Sequence, residues 1–528
     1  MVKASSQAGP RSADVDDTLT QMTEYAHNIL RTRPLQHFAI GTVIFGSKLC
    51  MGYFDRSGVV LSEEYDYVER PSILIQMIAR LCWELTPAEL GQDTSVSIAP
   101  GNHFYDLAYS SLDVTVSGDL ETGNSPPQVF RCSGPPISVS SSIWGRGSST
   151  FRATDLSPNR PCVVKSAGRR PDREVETKFY KMLDDPPPSV AQCFRLEDNV
   201  LLTRPNGKGT RMSVTFANTR KLKRVPAPLF PNNNRALYRV CITPVGRPLW
   251  RYETIEELVM GLRAIVQGKY QQTKRILHRD LTPGNLYLFR RLLQDGTLQL
   301  PPEGGEGFIA DFDIATHLSK NPEYSQVEKT IEYLDTEVKN EAGPALLGTV
   351  PFMASEVLGE VSKGRRVARI VRHDLESLCW TVVYSLFVKA RSHKSAFQGV
   401  SETTRKAVDD EFSALFSGTS LKHILDRRQS FLQTRAADSS VLALSQLFWE
   451  AHQPKPRLLL EMMWEILGSE LDRYQAGRID PAKSPFPPGS VTERHRRRSL
   501  PHAPFIQLTH ESLLERLDDI LTDFGGMS

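Results

Sequence analysis

Several absences narrow the possibilities before any motif is read. No apolar run approaches the ~20 residues that a membrane-spanning helix needs; the longest, Trp380 to Val388, lies deep inside the chain. The opening Met1-Val2-Lys3-Ala4-Ser5-Ser6-Gln7 holds no apolar core of a secretion signal. An intracellular protein, cytoplasmic or nuclear, is therefore expected. The seven cysteines (50, 82, 132, 162, 193, 241 and 379) include no pair at the close spacing of a zinc or redox site, which predicts reduced and mostly buried thiols. Charge of either sign is not in excess: 64 Lys and Arg face 61 Asp and Glu, a net +3. That balance gives no reason to expect a nucleic-acid or membrane partner. What remains is ordinary globular composition, 40% apolar and 24% charged, over 528 residues. At ~150 residues per unit this suggests about three units.

The chain is organised around His278-Arg279-Asp280-Leu281-Thr282-Pro283-Gly284-Asn285, between apolar Ile276-Leu277 and the strand-like Leu286 to Phe289. The aspartate and the asparagine lie five positions apart. Such a pair suits phosphoryl transfer: Asp280 can accept the proton of an attacking hydroxyl, and Asn285 offers a hard oxygen to magnesium. Gly307 to Ala310 then predicts a short buried strand, and Asp311-Phe312-Asp313 after it supplies a second carboxylate for the metal. The octet resembles the protein-kinase catalytic loop, and the triplet resembles the kinase metal-binding triplet with Asp313 in place of glycine. The resemblance implies ATP and Mg2+ as cofactors.

Upstream, Trp144 to Ala153 contains Gly145 and Gly147, a pair that lets a turn lie against phosphates with its N–H groups exposed. Thr150 stands where kinases have a third glycine. Cys162-Val163-Val164-Lys165 is an apolar strand ending in a lysine placed to hold the α and β phosphates. A helix from Pro171 to Leu183 offers Glu176 as the partner of that lysine, with Glu174 as the competing candidate. Leu237 to Pro244 reads as a strand running into the hinge that would meet adenine through backbone groups, near Cys241 and Thr243.

At the N-terminus, residues 1–16 are polar and small, and disorder is expected there. Helical spacing over Asp17 to Arg33, three strand-like runs from His37 to Tyr65 and a helix from Pro71 to about Glu84 predict a small α+β domain over 17–118. A Gly/Ser/Pro-rich linker is expected over 119–135, a kinase N-lobe over 136–243, a C-lobe over 244–470 and a polar tail over 471–528. An insertion with a hairpin at Asp295-Gly296 separates Phe289 from Gly307, and Thr509 to Phe524 is amphipathic. The run Arg494 to Arg498 reads as a solvated tail, a nuclear-import signal or the flank of a phosphorylation site at Ser499.

Leu277 to Leu286, Ile309 to Ala315, Gly348 to Glu356, His373 to Trp380, Pro244 to Leu249 and Phe54 to Val59 together resemble the fungal-type protein kinases, over roughly residues 16 to 470. The resemblance implies a bilobal α+β protein-kinase-like fold. It gives His278, Arg279, Thr349, Glu356, Asp374 and Arg457 structural or regulatory roles. Asp374 would brace the catalytic loop, Glu356 would pair with a late arginine, for which Arg457 is the candidate, and Thr349 would bond the catalytic aspartate, as in serine/threonine kinases. Arg279 implies control by phosphorylation at Ser325, Thr330, Tyr333 or Thr336. The pattern also departs from kinases at Thr282, where a lysine is usual, and at Ser355, where proline is. An ATP-dependent serine/threonine kinase acting on a protein substrate is the expectation; a scaffold that binds nucleotide without catalysis, or a small-molecule kinase, is the alternative. The oligomeric state is not legible.

Overall fold

Apolar residues three and four positions apart between 17 and 33 wind into α1 (Ala13–Thr32), which lays Met22, Ala26 and Leu30 on the meander of β1 (Phe38–Phe45), β2 (Lys48–Asp55) and β3 (Val59–Leu61). β4 (Tyr65–Asp66) also pairs with β2, and α2 (Pro71–Ala79) follows. The computed structural model describes residues 13–33, 35–56, 58–99, 111–117, 126–140, 143, 146–169, 176–183, 186–198, 201–203, 209–211, 236–272, 276–289, 291–292, 298–317, 349–365, 367, 369–393, 397–418, 420–433, 442–477 and 508–526. The chain forms two compact units, Met1–Lys178 with Gln192–Val245, and Phe179–Ala191 with Gly246–Ser528.

The first unit is built on an eight-stranded sheet. It comprises β5 (Val96–Ile98), β6 (Leu112–Val116), β7 (Gln128–Cys132), β8 (Ser138–Val139), β9 (Ser149–Asp155), β10 (Arg160–Arg169), β11 (Gln192–Asp198) and a strand at Ala236–Thr243. α3 (Glu176–Met182) follows β10 and crosses the division between the units, its residues from Phe179 on belonging to the second; a separate ribbon joins β12 (Leu201–Thr203) to β13 (Gly209–Arg211). The Ala236–Thr243 strand, β14, lies between β10 and β11, and the order is β11-β14-β10-β9-β7-β6-β5, with β8 also on β9. The expected domain edge at 118 therefore does not interrupt the sheet. β6 pairs with β7 across it, and β7 occupies part of the stretch expected as linker. Alternating inward residues of β6, β7, β9 and β10 close one core around Val114, Phe130, Phe151 and Val164.

The second unit is mostly helical. β15 (Gly246–Pro248), α4 (Ile255–Gln272), β16 (Ile276–Leu277) and β17 (Leu286–Phe289) lead to a ribbon of β18 (Arg291–Leu292) and β19 (Leu298–Gln299), then to β20 (Gly307–Ile309) and β21 (Thr316–His317). The sheet β15-β17-β20 and the pair β16-β21 hold the loops between them. Helices α5 (Ser355–Val361), α6 (Val371–Ser392), α7 (Glu402–Phe416), α8 (Leu421–Gln433), α9 (Ala443–Glu450), α10 (Pro454–Gly477) and α11 (His510–Gly526) complete it. α6 is buried along most of its length, through Leu375, Leu378, Trp380, Val383 and Leu386. The terminal helix packs on α4, where Arg263 pairs with Asp518 at 2.5 Å. The basic run 494–498 lies outside the described residues, and among those described no helix is long and apolar enough to cross a membrane.

Glu411 on α7 accepts the Leu444 N–H at the start of α9, 3.4 Å away, and burial pushes its carboxyl up to about 7. The folded chain thus keeps a proton there that the unfolded chain gives up near 4.5. This group's contribution to stability falls as pH rises from about 4.5 to about 7, by on the order of 2–3 kcal/mol. Glu411→Gln is expected to remove that part of the slope in a melting-temperature series across pH 4.5 to 8. An unchanged slope would refute the assignment.

Candidate active site

The first unit contributes a lysine and what surrounds it. β10 and β9 pair so that Lys165 faces Thr150 and Ser166 faces Ser149. Position 150 is thus already inside the ladder, where a β-branched residue suits the backbone and glycine is not required. Lys165 Nζ lies 2.9 Å from Glu176 Oε2, both side chains almost fully buried, and the Tyr238 hydroxyl donates to the same carboxylate oxygen at 3.4 Å. Desolvation of such a pair is offset only by close geometry and further hydrogen bonds, and the Tyr238 hydroxyl supplies one. Glu174 and Gly145 lie outside the described residues.

Gly147 has φ +54°, and a Cβ added there would collide with the Arg56 guanidinium. That arginine comes from the turn after β2, is buried, and donates to the carbonyls of Leu30 (3.2 Å) and Ile143 (3.4 Å). Ile143 itself joins the core of α1, β1 and β2. The N-terminal meander is thereby packed against the glycine-bearing segment. Nothing in the sequence order announces this contact; Arg56 was legible only as part of a family-like stretch.

On the next strand a correction is needed. Cys241 sits in the middle of β14, opposite Val164 on one side and Arg195 on the other, with its thiol in the core and pushed well up by burial. It is not placed to read a base. Thr243, at the strand end, pairs with Gln192 alone, one residue past the last partner on β10.

The second unit carries the loop. Asp374, near the start of α6, accepts the N–H of His278 at 2.9 Å and of Arg279 at 3.0 Å. This clamp holds Arg279 at φ +68°, a conformation that a non-glycine residue adopts only under external constraint. The His278 Nε2 donates to the Ala310 carbonyl, 3.1 Å away. Its ring lies tilted against Phe312, centroids 5.0 Å apart, and Phe312 meets Tyr180 of α3 edge-on at 5.1 Å. Asn285 Nδ2 donates to the Asp280 carbonyl (2.9 Å) and carboxylate (3.2 Å), and Ala310 N–H donates to the Asn285 carbonyl at 3.0 Å. Thr349 bonds the other Asp280 oxygen twice, through its N–H and its hydroxyl, both at 3.0 Å. Burial, and then the nearby Asp311 carboxylate, raise the Asp280 carboxyl above its usual value.

Asp311 is the left-handed residue of its segment, at φ +69°, and its N–H donates to the Tyr180 hydroxyl at 3.3 Å. Asp313 is not among the described positive-φ residues and donates its N–H to Asp311 Oδ1 at 3.3 Å. The usual glycine is therefore not needed there. Ser355 likewise makes a bond that proline could not: its N–H donates to the buried Glu376 carboxylate at 2.8 Å. Thr282 is buried, and its carbonyl accepts the Asn285 N–H; nothing in the structure explains the absence of a lysine.

Glu356 does not meet Arg457. It binds Arg372 at 2.6 Å and His373 at 3.0 Å, which hold its carboxyl down to about 2, while Arg372 also reaches Glu470 at 3.0 Å. Arg457 instead pairs with Glu461 one turn on and lies over the Trp449 ring. A residue that sequence reading missed secures the neighbouring segment. Arg428 of α8, fully buried on the Trp380 ring, donates to the carbonyls of Met353 (2.5 Å) and Pro351 (2.6 Å). In its amphipathic helix it looks like any solvated arginine.

The strand order around Lys165, the braced loop and the Asp311 segment after β20 are consistent with a protein-kinase-like fold. The chain belongs to the fungal protein kinase family: the family description "Fungal protein kinase" matches residues 1–386 of the 528. Among curated proteins none matches. Asp374→Ala is expected to leave two buried N–H groups without an acceptor and to lower stability by about 2–4 kcal/mol. Urea denaturation and faster hydrogen exchange at the 278 and 279 amides would register it. Wild-type protection at both amides would refute the brace.

Proposed function

We propose that the chain is an ATP- and magnesium-dependent protein kinase that phosphorylates serine or threonine hydroxyls, with the two compact units as its lobes. The observation that carries this reading is the pair of hydrogen bonds that Thr349 donates, from its N–H and its hydroxyl, to one oxygen of the Asp280 carboxylate. It ties the candidate base to the segment that ends in Ala354-Ser355-Glu356, the peptide-docking element that small-molecule kinases lack.

In this reading Lys165, fixed by Glu176, binds the α and β phosphates, and the turn with Gly145 and Gly147 covers them through backbone N–H groups. The edge of Thr243 receives the adenine. A magnesium ion held partly by nucleotide phosphates needs only one or two protein carboxylates, and Asp311 with Asn285 is such a donor set. When bound, the metal neutralises charge on the phosphates. Asp280 accepts the proton of the incoming hydroxyl as that oxygen attacks the terminal phosphorus, and the bond to the bridging oxygen breaks to release ADP. Control by phosphorylation at Ser325, Thr330, Tyr333 or Thr336 also belongs to this reading, although those residues lie outside the described ones. Arg369 belongs to the same reading: burial, and then the charge of Arg279, pull its guanidinium down to about 10 against the opposing charges of Asp374 and Asp280.

Purified protein with labelled ATP and magnesium is expected to label itself and a generic serine/threonine substrate. Asp280→Asn is expected to lose about 10²- to 10⁴-fold in rate, and Asp311→Ala and Lys165→Met to fall to background. Equal labelling by folded wild type and Asp280→Asn would exclude the catalytic reading and leave a nucleotide-binding scaffold.

A further inference from the structure

The segment Pro71 to Glu84 is apolar almost throughout, yet none of its residues is buried. Its four polar residues, Ser72, Gln76, Arg80 and Glu84, recur four apart in one exposed stripe, and the apolar remainder is wider than the single face a helix on a surface needs. Ile73, Leu74, Met77 and Leu81 are half-buried, and Thr42 on β1 donates its hydroxyl to the Met77 sulfur at 3.7 Å. The other face is open: Ile75 is 65% exposed, Ile78 42% and Trp83 78%, with Val68, 66% exposed, just before the helix.

The backbone aligns these residues. After Ala79 the helix widens into a π turn over Arg80–Glu84, closed by the Leu85 N–H donating to the Arg80 carbonyl at 2.9 Å. A continuing α-helix would carry Trp83 about 80° round from Ile75. The wider turn rotates the chain less per residue and brings the indole back into line with Ile75 and Ile78. Cys82, the one exposed cysteine of the seven, borders the same strip.

We infer that this strip is the interface through which two copies of the chain associate, helix against antiparallel helix about a two-fold axis. The charges at its ends favour a second copy over other occupants. Exposed Arg70 precedes the helix and exposed Glu84 closes it; Glu84 also pairs with Arg80 one turn back at 3.7 Å, an exposed contact that leaves its carboxylate open to a second cation. In an antiparallel pair centred on Met77, each Arg70 lies opposite the partner's Glu84, the exposed Pro71 meets the partner's Trp83 ring, and Ile75, Ile78 and Ala79 fill the middle. A patch that complements itself in this way is what an isologous dimer requires. The exposed Glu63, Glu64, Glu69 and Glu84 around it disfavour an anionic lipid surface. The contact is about 20 Å long, at the small end of stable interfaces, so a concentration-dependent dimer is the expectation.

Sedimentation equilibrium of the full chain up to about 100 µM tests it. Wild type is expected to dimerise. Trp83→Asp and Ile75→Ser are expected to weaken association at least tenfold with melting temperatures unchanged, since both side chains already face solvent. Arg70→Glu and Glu84→Arg are each expected to weaken it, and the two together to restore it. A wild-type monomer across the whole range overturns the inference, whether or not the protein binds anionic vesicles. So does undiminished dimerisation of folded Trp83→Asp and Ile75→Ser.

Discussion

One carboxylate sets the geometry of the second unit. Asp374 projects from a helix buried on nearly all sides and accepts two successive N–H groups of the loop that carries Asp280. A buried acceptor with two donors cannot be given up cheaply, so Arg279 stays at a positive φ that its side chain would otherwise avoid. From that fixed turn, Asn285 reaches back to Asp280, His278 reaches the carbonyl of Ala310, and Phe312 is caught between His278 and Tyr180. The Asp280 and Asp311 carboxylates are thus positioned by one connected set of contacts rather than by separate loops.

The first unit depends on a different constraint, the sharing of cores. The N-terminal residues do not stand apart from the sheet that holds Lys165. They extend that sheet through β5, β6 and β7, and their meander buries Ile143 and aims Arg56 at Gly147. The fully buried Arg239 adds to this: it bonds Ser166, beside Lys165, and also Asp93 and Ser95 of the N-terminal segment. The match of the family to residue 1 onward is physically sensible for that reason.

Departures from the usual kinase pattern resolve once backbone geometry is known. Thr150 lies in a ladder, Asp313 does not need glycine's conformational freedom, and the Ser355 N–H bonds Glu376. Each looks like damage in a string of letters and like a fitted part in space. Thr282 remains without such an account.

Local spacing made much of this legible. The Asp280, Asn285 and Asp311 set, the strand before Lys165 and the glutamate of the following helix are short-range patterns in which periodicity and turn chemistry carry the information, and the resemblance to a family added Asp374 and Thr349. The contacts between separate elements were not legible, because a side chain's partner on another element leaves no trace in its sequence neighbours. Glu356 chose Arg372 and His373 over Arg457, and Arg428 looks solvated until its helix packs on Trp380. Cys241 lies inside β14 because β10 pairs through it, and β11 covers the strand's other edge. The sequence by itself determined the family and most of the short elements that carry the candidate residues; only the tertiary structure decided which charges meet, since burial and pairing are properties of surfaces that exist after the chain has folded.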